Sequence, residues 1–216
     1  MPASLEPIEA LCRAYARDPS VRSVAVIGNK PLHPSRERAT VVDSSDLVVR
    51  VNGFRADDSR GEPFVGRRTD VVFLHRGVQA TPWLFDSYRD RLYLMVEPAR
   101  FHGEPDWIPP WWPLDLGYLA IPNSLTVEAV CWEMGIDVRR EPRWPTTGTL
   151  AAWIASKLFP EAELRLAGFS MLDDQEQLSW RHASGRVVPV RSEHLLDREA
   201  LLMTRWIDEG RARLVR

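Results

Sequence analysis

Three separated turns of this chain carry the residue types that hold a phosphorylated ligand. Val24-Ala25-Val26-Ile27 is a short apolar run closed by Gly28 and Asn29, and Leu47-Val48-Val49-Arg50-Val51 is a second one closed by Asn52. Glycine lets a ligand approach the backbone closely, and asparagine offers a neutral amide with donors and an acceptor. The third turn, Pro145-Thr146-Thr147-Gly148, opens a helical pattern. Its hydroxyls and backbone N–H groups therefore stand at the positive end of a helix dipole, where an anion is favoured. Taken singly, each turn is also an ordinary turn former or a threonine helix cap. Gly28 belongs to no G-x-G-x-x-G, and no G-x-x-x-x-G-K-[ST] occurs, which sets aside a standard dinucleotide fingerprint and a P-loop.

The elements that must position these turns follow from periodicity. Apolar residues at Leu5, Ile8, Leu11, Cys12 and Tyr15 give an amphipathic helix from Leu5 to Ala16. Short apolar runs at Val24–Ile27, Leu47–Val51, Val71–Leu74, Leu92–Val96 and Leu164–Ala167 read as strands covered on both faces, with a further strand at Val187–Val190. Helices are expected at Arg36–Val42, at Leu125–Met134 between a Ser124 cap and a Gly135 stop, at Thr149–Phe159 before Pro160, and from His194 to Glu209. Strands alternating with helices predict an α/β fold: one Rossmann-like domain over residues 1–216, with a mainly parallel sheet and helices on both faces. In such a sheet ligands bind beyond the carboxyl ends of the strands at the topological switch point, where Gly28-Asn29 would lie with Asn52 beside it.

Taken together the turns resemble motifs of the sialyltransferases, glycosyltransferase family 29. Val24 to Asn29, then Arg50-Val51-Asn52 and Gly66-Arg67-Arg68-Thr69-Asp70, resemble the large sialyl motif; Pro145 to Leu150 and Gly168-Phe169-Ser170 resemble the small one; His194 with Glu199 matches the very short His-x-x-x-x-Glu motif. Trp180-Arg181-His182 is similar to the third motif, with Ala183 in place of its usual aromatic residue. The resemblance implies a CMP-activated sugar as donor, sialic acid or a relative such as Kdo, and a glycan or other hydroxyl as acceptor. It implies a nucleotide held by Gly28, Asn29, Asn52, Thr146, Thr147 and Gly148, with His194 as general base and His182 at the donor phosphate. The first turn of the final helix is the expected place of His194, where the dipole keeps the imidazole neutral, the form a base needs. Glu199, five positions on and off that helical face, is expected to orient local structure. A protein that keeps the cradle without catalysis is the alternative left open.

Composition narrows the partners. The chain has 216 residues, 44% hydrophobic and 27% charged, with a net charge of -2, so neither nucleic acid nor an anionic membrane is an expected partner. No apolar run is long enough to span a bilayer and the N-terminus lacks a signal-like pattern, which predicts a cytoplasmic protein. Cys12 and Cys131 fall in no metal-ligand spacing and read as buried small hydrophobes, and the disulfide that secreted members of the resembled family carry between the large and small motifs has no counterpart. No two aspartates are separated by one residue, so the Asp-x-Asp clamp of many nucleotide-sugar transferases is missing and no metal or other cofactor is expected. Arg67 and Arg68 read either as anion holders or, the preferred reading, as partners of Asp70 or Asp46, and His33, His75 and His102 as ordinary polar residues. The crowded Trp107 to Pro113 segment reads as an acceptor platform or as a loop tucked onto the core by its tryptophans.

Overall fold

The computed structural model describes residues 4–58, 61–75, 77–97 and 111–216. A seven-stranded sheet runs in the order β5-β4-β3-β2-β1-β6-β9. Its strands are β1 (Ser23–Ile27), β2 (Leu47–Val51), β3 (Val71–His75), β4 (Leu92–Val96), β5 (Leu119–Ala120), β6 (Glu163–Ala167) and β9 (Ala212–Leu214). Every pairing in it is parallel, β1 meeting β2 at Val24↔Leu47 and β6 at Val24↔Leu164. From β1 the chain steps outward through β2 to β5 and then returns to the other side for β6 and β9, so the switch point lies between β1 and β6.

Strand periodicity divides the core. Val24, Val26, Val49, Phe73 and Leu94 face one side and pack with buried residues of α1 (Glu6–Tyr15), α4 (Val127–Glu133), α5 (Thr147–Leu158) and α6 (Leu196–Asp208). On the other side Ala25, Ile27 and Val48 meet Val42 of α2 (Arg36–Ser44), and Val72, Leu74 and Tyr93 meet Leu84 of α3 (Pro82–Phe85). Arg50 also points to this second side. It is fully buried and donates to the carbonyls of Val65, Gly66 and Arg68 and to the Thr69 hydroxyl. Burial lowers its pKa to about 10, so the side chain shapes the 65–69 loop from inside and is closed to a ligand.

Several boundaries differ from the sequence reading. The final helix begins at Leu196, not at His194, because a turn with His194 N–H donating to the Arg191 carbonyl precedes it. His194 therefore precedes the helix instead of lying in its first turn. Leu125–Met134 is a 3-10 turn (Asn123–Leu125) followed by α4, broken at Thr126, and Ser124 makes no cap; Gly135 does follow in the left-handed region with φ 75°. The short parallel strands β5 and β9 were not anticipated, nor was the pairing of β7 (Ser179–Arg181) with β8 (Val187–Pro189) as a separate antiparallel hairpin. Trp107 to Pro110, like His102, lies outside the described residues; Trp112 is buried edge-on against Phe85, Tyr93 and Tyr118, a core role.

Candidate functional site

The carboxyl ends of β1 and β6 approach so closely that side chains are excluded. A Cβ on Gly28 would lie 2.3 Å from the Gly168 carbonyl oxygen, and one on Gly168, which sits at φ +74°, would lie 2.7 Å from that of Gly28. The ladder continues past both strands, Gly28 N–H donating to Ala167 at 2.8 Å and Lys30 N–H to Gly168 at 3.0 Å. These contacts aim Asn29 across the neighbouring strand end, where its Nδ2 donates to the Val51 carbonyl at 3.0 Å. Asn52 follows in the left-handed region at φ 51°, a conformation asparagine tolerates, and its Oδ1 accepts from the His75 backbone N–H at 3.1 Å. The two amides are thus neighbours, as the sequence suggested, but each has one function engaged by backbone.

On the β6 side, α5 opens at Thr146. Its hydroxyl accepts from Thr149 N–H as an N-cap and donates to Glu199 Oε2 at 2.6 Å. That hydroxyl is committed within the protein, which differs from the expectation that it would face the ligand. The next two backbone N–H groups, of Thr147 and Gly148, have no hydrogen-bond partner among the described residues. They are the free donors at this helix end. The Phe169 ring lies over Gly148, where an added Cβ would meet its edge at 3.1 Å.

A zipper of contacts fixes the segment around His194 to this turn. Arg143 donates to the Ser192 carbonyl, Trp144 N–H to Glu193 at 2.8 Å, and Thr146 N–H to both Glu199 oxygens, at 3.1 and 3.0 Å. Glu199 is fully buried and takes a further hydrogen bond from the Thr149 hydroxyl. Burial pushes its pKa up, while the bonds from Thr146 and Thr149 and the nearby His194 pull it back. His194 Nδ1 lies 2.8 Å from the Trp144 carbonyl oxygen. A carbonyl only accepts, so Nδ1 is the donor, and in a neutral ring Nε2 is then the nitrogen with the lone pair. This hydrogen bond fixes the orientation of the ring.

The β7–β8 hairpin closes the site from above. Ala183 N–H at its tip donates to the Asn29 carbonyl at 2.7 Å, which holds His182 over the end of β1. His182 has its pKa lowered by burial and by the Arg186 charge, and Trp180 meets the His194 ring edge-on with centroids 6.3 Å apart. One open cleft of about 1540 Å³ is lined by Gly28, Asn29, Asn52, Thr146, Thr147 and Gly148, and also by His182 and His194. The eight residues expected to hold the nucleotide or to do chemistry therefore share one surface. The sequence reading missed His75 and Asn123, which line the cleft at the ends of β3 and β5, and the cations Lys30, Arg186 and Arg191. Placement just beyond the expected strand Val71–Leu74 was the available signal for His75; Asn123 follows a strand that the sequence does not reveal. Arg68, by contrast, pairs with Asp70 and donates to the Asp46 carbonyl, a structural role. Cys12 and Cys131 are buried free thiols, each raised to about 12 by burial. Among the described residues no cluster of three or more His, Cys, Asp or Glu is placed to hold a metal ion, and no helix is long and apolar enough to cross a membrane.

Comparison with known proteins bears on the fold. No protein-family model matches the chain. A stretch of 56 residues is 39% identical to the sialyltransferase-like protein 3 of Oryza sativa subsp. indica and of subsp. japonica. The match spans 26% of this chain and only 15% of those relatives. Among solved structures, a mammalian sialyltransferase superposes with a TM-score of 0.53 at 19% identity, over 99% of this chain and 79% of that one. A mammalian sialyltransferase in complex with Gal-beta-1-3GalNAc-ortho-nitrophenol gives 0.56 at 18%, over 99% and 80%.

Proposed function

We propose, from the premise that this chain has the sialyltransferase fold, that it is a metal-independent inverting glycosyltransferase that moves a sugar from a CMP-activated donor, sialic acid or Kdo-like, to a hydroxyl of a glycan. One observation carries the reading: turns from distant parts of the sequence line a single cleft with a histidine whose Nε2 is free to accept a proton. In this mechanism the acceptor hydroxyl binds near His194, and its oxygen attacks the anomeric carbon while the proton passes to Nε2. The bond from that carbon to the phosphate oxygen breaks, and CMP leaves with the electron pair. The N–H groups of Thr147 and Gly148, at the α5 dipole, stabilise the phosphate charge as it grows, with Asn29, Asn52 and His182 as further donors. A leaving monophosphate is a single anionic group that such donors hold unaided, in keeping with a sequence that has no Asp-x-Asp.

Incubation with CMP-Neu5Ac and with CMP-Kdo, with and without glycan acceptors, tests this by release of CMP. Acceptor-stimulated release that falls by at least about a thousandfold in His194→Ala, with CMP affinity retained, is the expected result. CMP binding without turnover for either donor would favour a nucleotide-binding protein that lacks catalysis, and failure of the folded protein to bind CMP would sink both readings.

A further inference from the structure

The charge of the cleft is opposite to that of the chain. The protein carries a net charge of -2, yet the cleft lining holds six lysines and arginines against three glutamates, Glu97, Glu141 and Glu193. Three of the six are already engaged: Lys30 pairs with Asp173, Arg140 with Asp137, and Arg143 donates to the Ser192 carbonyl. The other three, Arg181, Arg186 and Arg191, have no carboxylate partner and no side-chain hydrogen bond among the described residues. All three are exposed and belong to the β7–β8 hairpin or its exit. An unpaired arginine row on a cleft wall focuses an anion-attracting field, and the lowered pKa of His182, caused second by Arg186, registers that field inside the cleft.

We propose that this row is the acceptor subsite and that the acceptor is an acidic saccharide with carboxylates on more than one sugar. The inference rests on the transferase reading and narrows its acceptor. Arg181 is level with Val187 across the hairpin, and Arg191 lies four residues beyond, about 13 Å along an extended chain. Each guanidinium takes one carboxylate in a two-bond fork, so a spread row matches carboxylates on successive sugar units. Its place at the exposed rim, while Thr147 is only 7% exposed at the nucleotide cradle, puts it where a second substrate enters. Trp144 and Trp180 line the same cleft and give indole faces on which sugar C–H groups pack, which a bare polyanion site lacks.

The test is calorimetric binding, without turnover, of an α-1,4-linked galacturonate trisaccharide and of its neutral methyl ester. The comparison is between the wild type and an Arg181→Gln/Arg191→Gln variant, which leaves Arg186 beside His182 intact. The acidic trisaccharide should bind the wild type at least about tenfold more tightly than the ester, and the variant should lose that advantage. The preference should also shrink as salt rises from about 20 to about 200 mM, whereas affinity for CMP-Neu5Ac should stay within about twofold in the variant. Equal binding of acid and ester overturns the proposal. A loss of donor affinity instead would assign the row to a carboxylate of the donor and overturn it as well, as would a uridylate trinucleotide bound as tightly as the trisaccharide. If CMP binding fails but the trisaccharide behaves as described, the row stands as an acidic-saccharide site and the transferase reading falls alone.

Discussion

Removing Glu199 should disable the cradle without touching a ligand. The carboxyl accepts from Thr146 N–H, from the Thr146 hydroxyl and from the Thr149 hydroxyl, and it is fully buried. Glu199→Ala strands all three donors in a protein interior, at about 1–3 kcal/mol each when no substitute partner is at hand. Hydroxyls can rotate toward carbonyls but a backbone N–H cannot, so we expect a net loss of about 3–5 kcal/mol, in the range found when one partner of a buried polar pair is deleted. For a domain of this size that corresponds to a drop in Tm on the order of 10 °C. Glu199→Gln keeps one oxygen for Thr146 N–H and offers an amide N–H to the hydroxyl oxygens, so it should cost only about 1 kcal/mol. The sign with pH is opposite to that of most carboxylates. Burial raises the folded pKa above the ordinary 4.5, so the stability held by the neutral form is complete below that value and is lost as pH rises through the folded one. The wild type should therefore lose stability relative to Glu199→Gln as pH rises from about 4.5 into the neutral range. Urea denaturation across that range, with CMP titration at a temperature where each variant is folded, measures both consequences. Glu199→Ala should bind CMP about tenfold more weakly, because the free N–H groups of Thr147 and Gly148 are no longer anchored. An alanine variant that melts within about 2 °C of wild type and binds CMP equally well would refute the reasoning.

Three further substitutions test other parts of the frame. Arg50→Lys replaces a fork that reaches four acceptors with a single ammonium, and should cost about 2–4 kcal/mol in chemical denaturation while the folded fraction keeps its CMP affinity. A large loss of affinity at unchanged stability would instead make Arg50 a ligand. Gly28→Ala places a methyl 2.3 Å from the Gly168 carbonyl oxygen, where backbone has to move; a loss of at least about 3 kcal/mol is expected, and a Tm equal to wild type would contradict the crossing of β1 and β6. His182 has its folded pKa lowered, so the stability it contributes is full above the ordinary 6.5 and is lost as pH falls through the folded value. His182→Gln should remove that part of the stability decline between pH 7.5 and pH 5, and an identical pH profile would show that the imidazole is not desolvated.

The parts of this fold that the sequence made legible are those where burial on both faces leaves a continuous apolar run. Leu47–Val51 and Leu92–Val96 are strands over those same residues because no polar alternation competes with the parallel-sheet pattern. Pieces fixed by tertiary partners were not legible. β5 is two residues long and half-exposed, β9 has three, and neither carries enough period to be told from a loop. The final helix shows the same limit at the site itself. His194 continues its pattern, but an imidazole that donates to the Trp144 carbonyl, fifty residues earlier in sequence, is held outside the helix by a contact that no local rule encodes.

That contact also explains why turns so far apart in sequence have to act together. The switch between β1 and β6 leaves a crevice whose two walls come from different halves of the chain, and glycine at both rims lets the backbones meet there. The Thr147 and Gly148 N–H donors and His194 come from the later half of the chain, and the Asn29 and Asn52 amides from the earlier half. The zipper from Arg143 to Thr149 against Ser192 to Glu199 joins the histidine to the free end of α5, so one buried carboxyl governs the geometry of both. Since the Thr146 hydroxyl caps α5 and is braced by Glu199, the donors left to a ligand are the next two backbone N–H groups, whose direction depends on that brace. A site built this way places its structural demand on Thr146 and Glu199, although neither has a group free to touch a ligand, and on Gly148, where a Cβ would meet the Phe169 ring at 3.1 Å.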